Sequence, residues 1–181
     1  MIITKEITAV KLKLIDRNIL PHNFIGPDGE EYTWIWLPSA VTKSLLNLRN
    51  AEHVLEHMRN KTPISEQTHM SFLKNYNTIK RIDFVLMHKQ SREYVGGVNI
   101  SLTSYGYEMG KYIGNNKFLS RGLAFLMVTK FIHYIKNNIE EIREIKAVTS
   151  IMNFKNINLN FKLGFKIIGL VDDEYWLMEL K

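Results

Sequence analysis

Residues 107–124, YEMGKYIGNNKFLSRGLA, form the stretch that decides the fold. Residues 107–113 predict a strand, Gly114-Asn115-Asn116 ends it, and a strongly apolar helix begins near Gly122. The first turn of a helix has unpaired N–H groups, and the helix dipole favours an anion there. The junction lacks both the G-K-S/T of a Walker loop and the G-x-G-x-x-G spacing of a dinucleotide site. We therefore expect a phosphate-bearing ligand of another type.

The composition limits the class of protein. The chain has 181 residues, 45% hydrophobic and 23% charged, with no cysteine. This suits one globular domain and excludes disulfides, thiolate metal sites and a cysteine nucleophile. The sequence has no run of about 18 apolar residues and therefore predicts no membrane span. Residues 1–16 lack the apolar core of a signal peptide. We expect a cytoplasmic single domain over residues 1–181, with residues 17–40 as an inserted loop or hairpin.

The net charge of +6 is concentrated in one window. Between residues 109 and 139 there is no Asp or Glu, whereas basic side chains recur: Lys111, Lys117, Arg121, Lys130 and Lys136. A zone this compact favours one small polyanionic ligand over the long backbone of a nucleic acid. Nucleic-acid binding is the alternative that the charge raises, but we expect neither nucleic acid nor a membrane as partner.

Hydrophobic periodicity predicts a mixed α/β layer built on one sheet. Residues 7–16 alternate as a strand, residues 40–60 have a helical apolar stripe that ends before Pro63, and Ser65 begins a second helix. Gly96-Gly97 inside a strand predicts a bulge or a close backbone approach. The remaining predicted strands are 82–88, 94–102, 145–152, 165–171 and 175–180, and the remaining helices are 122–136 and 154–163.

Two side-chain patterns have an ordinary structural explanation. Tyr32, Trp34 and Trp36 alternate along one edge of a segment, and we favour a local core over a ligand platform. His53 and His57 lie one helical turn apart, but no third ligand follows at a suitable spacing, so we favour a solvent-facing stripe over a metal pair.

A second motif follows the strand at 145–152. It consists of Asn153 and residues 157–165, INLNFKLGF. Together with residues 119–124 it resembles two motifs of the GNAT superfamily of acyl-CoA N-acyltransferases, the pyrophosphate motif Q/R-x-x-G-x-G/A and the N-x-x-S/A segment that ends in L-G-F. The resemblance covers residues 41–181 and implies the GNAT fold, with a central sheet that splays.

Some positions match the family motifs and others depart from them. Gly122 and Ala124 match the pyrophosphate motif, whereas Leu119 replaces its Gln or Arg and Ser120 replaces a frequent glycine. Backbone amides make the phosphate bonds, so these side-chain changes matter little. Asn160 stands where many members carry a tyrosine that serves as general acid, which leaves the identity of the acid open.

The resemblance implies acetyl-CoA as co-substrate, and no metal. It assigns the pyrophosphate to backbone amides of a short segment, with Lys117 beside them: Leu119, Ser120, Arg121, Gly122, Leu123 and Ala124. It also implies that Asn153 holds the amides of the pantetheine arm, which pairs with the strand at 107–113 like an added strand. An N–H of Tyr112 or Ile113 would stabilise the oxyanion.

Acetyl transfer needs a base, because an aliphatic ammonium has a pKa of about 10 and only the neutral amine attacks. Glu108 matches the acidic position of the family's E-x-G and is our candidate, with an ion-paired or solvated strand carboxylate as the alternative. Leu48-Arg49-Asn50 with His69 resembles the R-N…H pattern of ribosomal-protein alanine and amino-sugar-nucleotide N-acetyltransferases. Arg49, Asn50 and His69 are therefore the candidate acceptor site, with helix-surface solvation or local capping as the alternatives.

The function implied by the resemblance is direct transfer of an acetyl group to a primary amine in a ternary complex. An amino-sugar nucleotide is favoured as acceptor over a protein N-terminus or a ribosomal protein. A non-catalytic acyl-CoA-binding module is the alternative that Asn160 raises. The sequence does not determine the acyl length or the oligomeric state, so a homodimer stays open.

Overall fold

The computed structural model describes Lys11, residues 20–40 and residues 42–181. The strand predicted over residues 7–16 lies outside these residues, apart from Lys11. Within the described ranges, one sheet and five α-helices form the mixed α/β architecture that the sequence predicts.

Eight strands form the sheet in the described part of the chain. They are β1 (Phe24–Ile25), β2 (Glu31–Trp36), β3 (Arg81–His88), β4 (Tyr94–Thr103), β5 (Gly106–Ile113), β6 (Ile145–Ser150), β7 (Lys166–Val171) and β8 (Tyr175–Leu180). Their order across the sheet is β1-β2-β3-β4-β5-β6-β8-β7. All neighbours are antiparallel except β5 and β6, which are parallel. The strands predicted from residue 82 onward are confirmed, with bounds that shift by up to two residues.

The helices include one correction to the predicted pattern. They are α1 (Thr42–Arg49), α2 (Glu52–Leu55), α3 (Glu66–Lys74), α4 (Leu123–Asn138) and α5 (Phe154–Lys162). The single helix predicted over residues 40–60 is wrong, because the chain leaves the helical path between α1 and α2. The side chain of Asn50 donates to the carbonyl of Ile64 at 2.8 Å and accepts from its N–H at 2.9 Å. Ala51 then has a non-helical backbone, with φ −58° and ψ 135°.

The start of α3 confirms the predicted cap. The Oγ atom of Ser65 accepts a hydrogen bond from the N–H of Thr68 at 3.1 Å. This satisfies one of the donors that a helix start leaves unpaired.

Helix α4 lies against the sheet, as its apolar composition predicts. Phe84 of β3 contacts two of its rings: the ring centroids lie 6.1 Å from Phe131 and 5.5 Å from Tyr134. The apolar stripe of α4 packs on the sheet and so holds the N-terminus of the helix at a fixed place beside it. The buried side chains of the stripe lie on successive turns of the helix: Leu123, Met127, Val128, Phe131, Tyr134 and Ile135.

Residues 20–40 supply the strands at one side of the sheet. β1 and β2 form an antiparallel hairpin whose turn contains Gly29 at φ 81°, a conformation that glycine adopts without strain. β2 then pairs along β3. Tyr32, Trp34 and Trp36 are all buried, which confirms the local core.

Strand β5 has two different neighbours. It pairs with β4 along its full length, from Gly106 opposite Thr103 to Ile113 opposite Gly96. With β6 it shares one bridge, between Glu108 and Lys146. Beyond Glu108 the two strands diverge, and the sheet splays as the resemblance implies.

The glycine pair in β4 explains how closely β4 and β5 approach. A Cβ atom on Gly96 would lie against the carbonyl oxygen of Tyr112 and 2.8 Å from the Cα of Ile113. The register between β3 and β4 also shifts at Leu86 and Met87, so the backbone bulges there. Both the close approach and the bulge are confirmed.

Candidate functional site

A cleft of about 1450 Å³ opens at the gap between β5 and β6. Its walls come from the start of α4, from β5 and β6, from α5, and from α1 and α3. Pockets for one drug-sized ligand measure roughly 300–1,000 Å³. The cleft therefore has room for a long ligand and a second molecule.

The start of α4 opens into this cleft. All six predicted phosphate-binding residues line it: Leu119, Ser120, Arg121, Gly122, Leu123 and Ala124. Ser120 and Gly122 have left-handed backbone angles, φ 61° and φ 74°. Among the described residues, none accepts a hydrogen bond from the N–H groups of Ser120 to Ala124. These donors, at the positive end of the helix dipole, are open to an anion.

The two basic side chains beside this helix start, Lys117 and Arg121, form ion pairs with carboxylates. Lys117 Nζ lies 2.6 Å from Glu93 Oε1, and the Lys117 side chain is 67% exposed and does not line the cleft. Arg121 Nη1 lies 3.2 Å from Asp28 Oδ2. Because both charges are partly neutralised, the backbone amides are the main donors for an anion.

Glu108 lies where β5 and β6 separate. Its Oε1 accepts a hydrogen bond from Arg59 Nη2 at 2.7 Å, and its side chain is 18% exposed. Both side chains line the cleft, and Arg59 also lies over the ring of Tyr175, with Cζ 5.9 Å from the centroid. The carboxylate is thus ion-paired and faces the cleft as well. Its role as a base stays a prediction.

Lys111 is a candidate that the sequence reasoning missed. Alternation along β5 places it on the face opposite Glu108, and its side chain crosses the gap to α5. Its Nζ donates to Oδ1 of Asn160 at 2.6 Å. Burial lowers the pKa of Lys111 from 10.5 to about 7. The one signal in the sequence is that a lysine interrupts the alternate apolar positions Met109 and Ile113.

Asn160 is held on its other side by neutral groups. Its Nδ2 donates to Oγ1 of Thr149 at 3.0 Å and lies 3.5 Å from Sδ of Met178. The residue is fully buried. These bonds direct the amide oxygen of Asn160 toward Lys111.

Asn153 begins α5. Its Oδ1 accepts from the N–H of Asn156 at 3.1 Å, and the residue lines the cleft. The cap explains the polar residue at this helix start. Its predicted contact with a pantetheine arm stays a prediction.

The structure brings two of the three predicted acceptor residues into the cleft. Arg49 and His69 line it, whereas Asn50 does not and holds Ile64 instead. The Cζ of Arg49 lies 5.7 Å from the centroid of the Tyr112 ring, and burial lowers the pKa of Arg49. His69 is buried in the wall of α3.

A charged pair that the sequence reasoning also missed lies on the same wall. Arg81 Nη2 lies 2.8 Å from Asp83 Oδ1, and the hydroxyl of Tyr76 donates to Asp83 Oδ2 at 3.0 Å. Burial opposes the charge of Arg81, but its pairing with Asp83 raises its pKa overall. Nearby, Lys11 donates to the carbonyl of Tyr76, and burial lowers its pKa to about 8. In the sequence, this pair could have been found from the polar residues Arg81 and Asp83, which alternate with apolar residues along β3.

His53 and His57 both line the cleft. Nε2 of His53 lies 2.9 Å from the carbonyl oxygen of Ile113. Across residues 20–40 and 42–181, no group of three or more His, Asp or Glu side chains could hold a metal ion.

None of the helices in these ranges is long and apolar enough to span a membrane.

Neither a protein-family model nor a curated protein sequence gives a significant match to the chain. Solved structures do match. Spermidine N-acetyltransferase from Vibrio cholerae, solved with CoA and spermine, has 17% identity and a TM-score of 0.70, covering 82% of this chain and 94% of that one. The GNAT domain of S. lividans PAT has 13% identity and a TM-score of 0.73, covering 88% and 95%.

A third structure of the same kind is the ribosomal-protein-S5-alanine acetyltransferase from Vibrio fischeri. It has 18% identity and a TM-score of 0.62, covering 83% of this chain and 91% of that one. At these identities the likeness concerns the course of the backbone. With its splayed sheet and open helix start, the chain has the fold of the GNAT acetyltransferases.

Proposed function

We propose that this protein is an N-acetyltransferase that moves the acetyl group of acetyl-CoA to a primary amine. The observation that supports this most is the meeting of two features in one cleft. Within the described residues, the N–H groups at the start of α4 and the edge of β5 beyond Glu108 are both unpaired. The first suits a diphosphate. The second suits an amide-bearing chain that adds to the sheet like a strand. CoA contains both groups.

The proposed coenzyme site consists mainly of backbone. The amides of Ser120 to Ala124 would hold the pyrophosphate, and Lys117 and Arg121 would add weaker attraction from their ion pairs. Asn153 lies just past the end of β6, at the start of α5, where a pantetheine arm would pass. Bound acetyl-CoA would supply an activated acyl group as its thioester.

The strand geometry supports one of the two N–H groups predicted for the oxyanion. The N–H and C=O of one residue face the same edge of a strand, and those of the next residue face the other edge. The carbonyl of Tyr112 lies against Gly96 of β4, whereas the carbonyl of Ile113 accepts from His53. We therefore assign the oxyanion to the N–H of Ile113, which faces the gap.

Glu108 is our proposed base. It lies at the vertex of the gap, so an amine that approaches a thioester there comes within reach of its carboxylate. Arg59 holds the carboxylate in place through the 2.7 Å ion pair. A proton transfer of this kind contributes about 10²–10⁴ in rate.

The wall of α1, α3 and β3 is our proposed acceptor site. It presents Arg49, Arg81 and Asp83 to the cleft, so an acceptor with both an anionic group and a hydroxyl or amine fits its chemistry. An amino-sugar nucleotide has these groups and is our first choice. A protein N-terminus is the alternative acceptor.

The test measures thiol release from acetyl-CoA across a panel of amines. The panel contains amino-sugar nucleotides, polyamines and short peptides with free N-termini. We expect turnover with at least one amine, and micromolar binding of CoA in a calorimetric titration. Absence of CoA binding contradicts the proposal.

A non-catalytic acyl-CoA-binding module is the second candidate. Asn160, an amide that cannot act as an acid, and the ion pair that occupies Glu108 favour it. This candidate predicts tight CoA binding with no turnover on any amine of the panel.

The exposed edge of the sheet is our candidate surface for a homodimer. Ile167, Ile168 and Leu170 of β7 are exposed at 40%, 49% and 47%. Unpaired edges with apolar side chains are typical of surfaces that associate. Light scattering after size-exclusion chromatography measures the oligomeric state.

A further inference from the structure

We infer that Lys111 is the general acid of this site, and that its ammonium group gives a proton to the sulfur of CoA as the acetyl group leaves. The inference rests on the proposed function, because it requires a thioester in the cleft. It assigns a role that Asn160 cannot fill.

The position of Lys111 is the first support. Its side chain leaves β5 beyond Glu108, where the strand has already separated from β6, and ends at Asn160 on α5. Lys111 also lines the cleft. A ligand arm that pairs with the edge from Met109 to Ile113 must therefore pass beside this ammonium.

The surroundings of Lys111 are the second support. Its hydrogen-bond partner on α5, Asn160, is neutral, and so is Thr149 of β6, which holds Asn160. None of the ion pairs among the described residues includes Lys111. A buried ammonium without a counter-ion gives up its proton more easily than an exposed one. This agrees with the lowering of its pKa to about 7 by burial.

The nearest charged groups along the strands are already paired with one another. Glu108 pairs with Arg59 on the opposite face of β5. Lys146, across the single β5–β6 bridge, pairs with Glu179. Lys111 takes part in none of these ion pairs, so a ligand could balance its charge.

Acetyl transfer from CoA to the amine needs no reactant other than these two molecules, the two side chains and solvent. A bond forms between the amine nitrogen and the acyl carbon, the carbon–sulfur bond breaks, and its electron pair goes to sulfur. Glu108 first takes one proton from the ammonium and passes it to solvent, which leaves the neutral amine. As this amine attacks, Lys111 gives its proton to sulfur and becomes neutral, while Glu108 takes the second proton from nitrogen. Solvent then returns a proton to Lys111 and removes one from Glu108.

The first experiment needs no turnover. CoA is bound to the wild type, to Lys111→Met and to the control Lys74→Met, which changes an exposed lysine at the end of α3. The thiol of bound CoA is then titrated by the ultraviolet absorbance of its thiolate. We expect its pKa to lie about one pH unit or more lower in the wild type and the control than in Lys111→Met. An equal thiol pKa in all three complexes overturns the inference.

The second experiment measures kcat. We expect Lys111→Met to lower kcat by about 10²-fold or more, with CoA affinity changed by less than about threefold. Lys111→Arg stays slow, because its guanidinium holds its proton too tightly. Asn160→Asp places a carboxylate beside Lys111, raises its pKa, and moves the alkaline decline of kcat to higher pH.

The outcomes separate the two proposals. Turnover in the wild type with an unchanged kcat in Lys111→Met overturns the acid role and leaves the transferase intact. An alkaline decline that does not move in Asn160→Asp also overturns the acid role. No turnover on any amine overturns the transferase, and the acid role fails with it.

Discussion

The two edges of β5 differ although the same residues form both. Toward β4 the strand pairs from Gly106 to Ile113, and toward β6 it pairs at Glu108 alone. A paired edge satisfies its own donors and acceptors and contributes to folding. An open edge inside a cleft leaves them for a ligand. The candidate function therefore lies where the ladder of the sheet stops.

The two faces of β5 differ in a similar way. On one face Glu108 has a guanidinium partner, Arg59. On the other face Lys111 has a neutral amide partner, Asn160. A buried ammonium without an ion pair gives up its proton more easily than an exposed one. This difference separates the proposed base from the proposed acid.

Removing the carboxylate of Glu108, where β5 and β6 separate, should have the largest effect on kcat. We expect Glu108→Gln to lower kcat by about 10²–10⁴, with stability changed by about 1 kcal/mol or less because the ion pair is partly exposed. Steady-state kinetics and chemical denaturation measure the two quantities. Glu144→Gln, which changes an exposed carboxylate near Lys146, is the control. Full turnover in Glu108→Gln removes this residue as the base.

Disturbing the paired edge should affect folding instead. Gly96→Ala places a methyl group against the backbone of Tyr112 and Ile113, which cannot move aside like a side chain. We expect a loss of about 1–3 kcal/mol in the free energy of unfolding. Gly169→Ala on β7 is the matched control, because nothing lies within 4 Å of its added methyl group. Equal stability of the two variants would contradict the close approach.

The buried ammonium of Lys111, which has no ion pair, should make the stability of the protein depend on pH. The pKa of Lys111 is about 7 in the folded protein and about 10.4 in the unfolded chain. Between these values the unfolded chain binds the extra proton, so stability rises as pH rises. We expect the rise in Tm between about pH 6 and about pH 9 to be smaller in Lys111→Met. Lys11 contributes in the same direction in both proteins, so the difference isolates Lys111. Parallel curves would contradict its burial.

The smallest effect should come from a side chain beside the helix start. We expect Arg121→Ala to weaken CoA binding by less than about fivefold, because backbone amides make the main contacts and Asp28 already neutralises the guanidinium. Calorimetry measures the affinity, with exposed Arg143→Ala as the control. A loss of about 100-fold would mean that the side chain, and not the backbone, holds the anion.

Much of the fold could be predicted because local signals agree with it. The apolar stripe of α4, the cap at Ser65 and the strand pattern around Gly96-Gly97 each act over a few residues. The break after Arg49 could not be predicted in this way. It depends on Asn50 reaching Ile64, a contact between residues far apart in the chain.

From Ser65 onward, the sequence by itself determined the order of the strands and helices, the open helix start at Gly122 and the position of Glu108 on β5. These follow from periodicity and from the backbone chemistry of a helix start, which need no distant partner. Only the tertiary structure decided that Lys111 meets Asn160 and that Arg81 pairs with Asp83 beside Arg49. Those contacts join separate elements, and burial changes the charges of the groups only once the elements have come together.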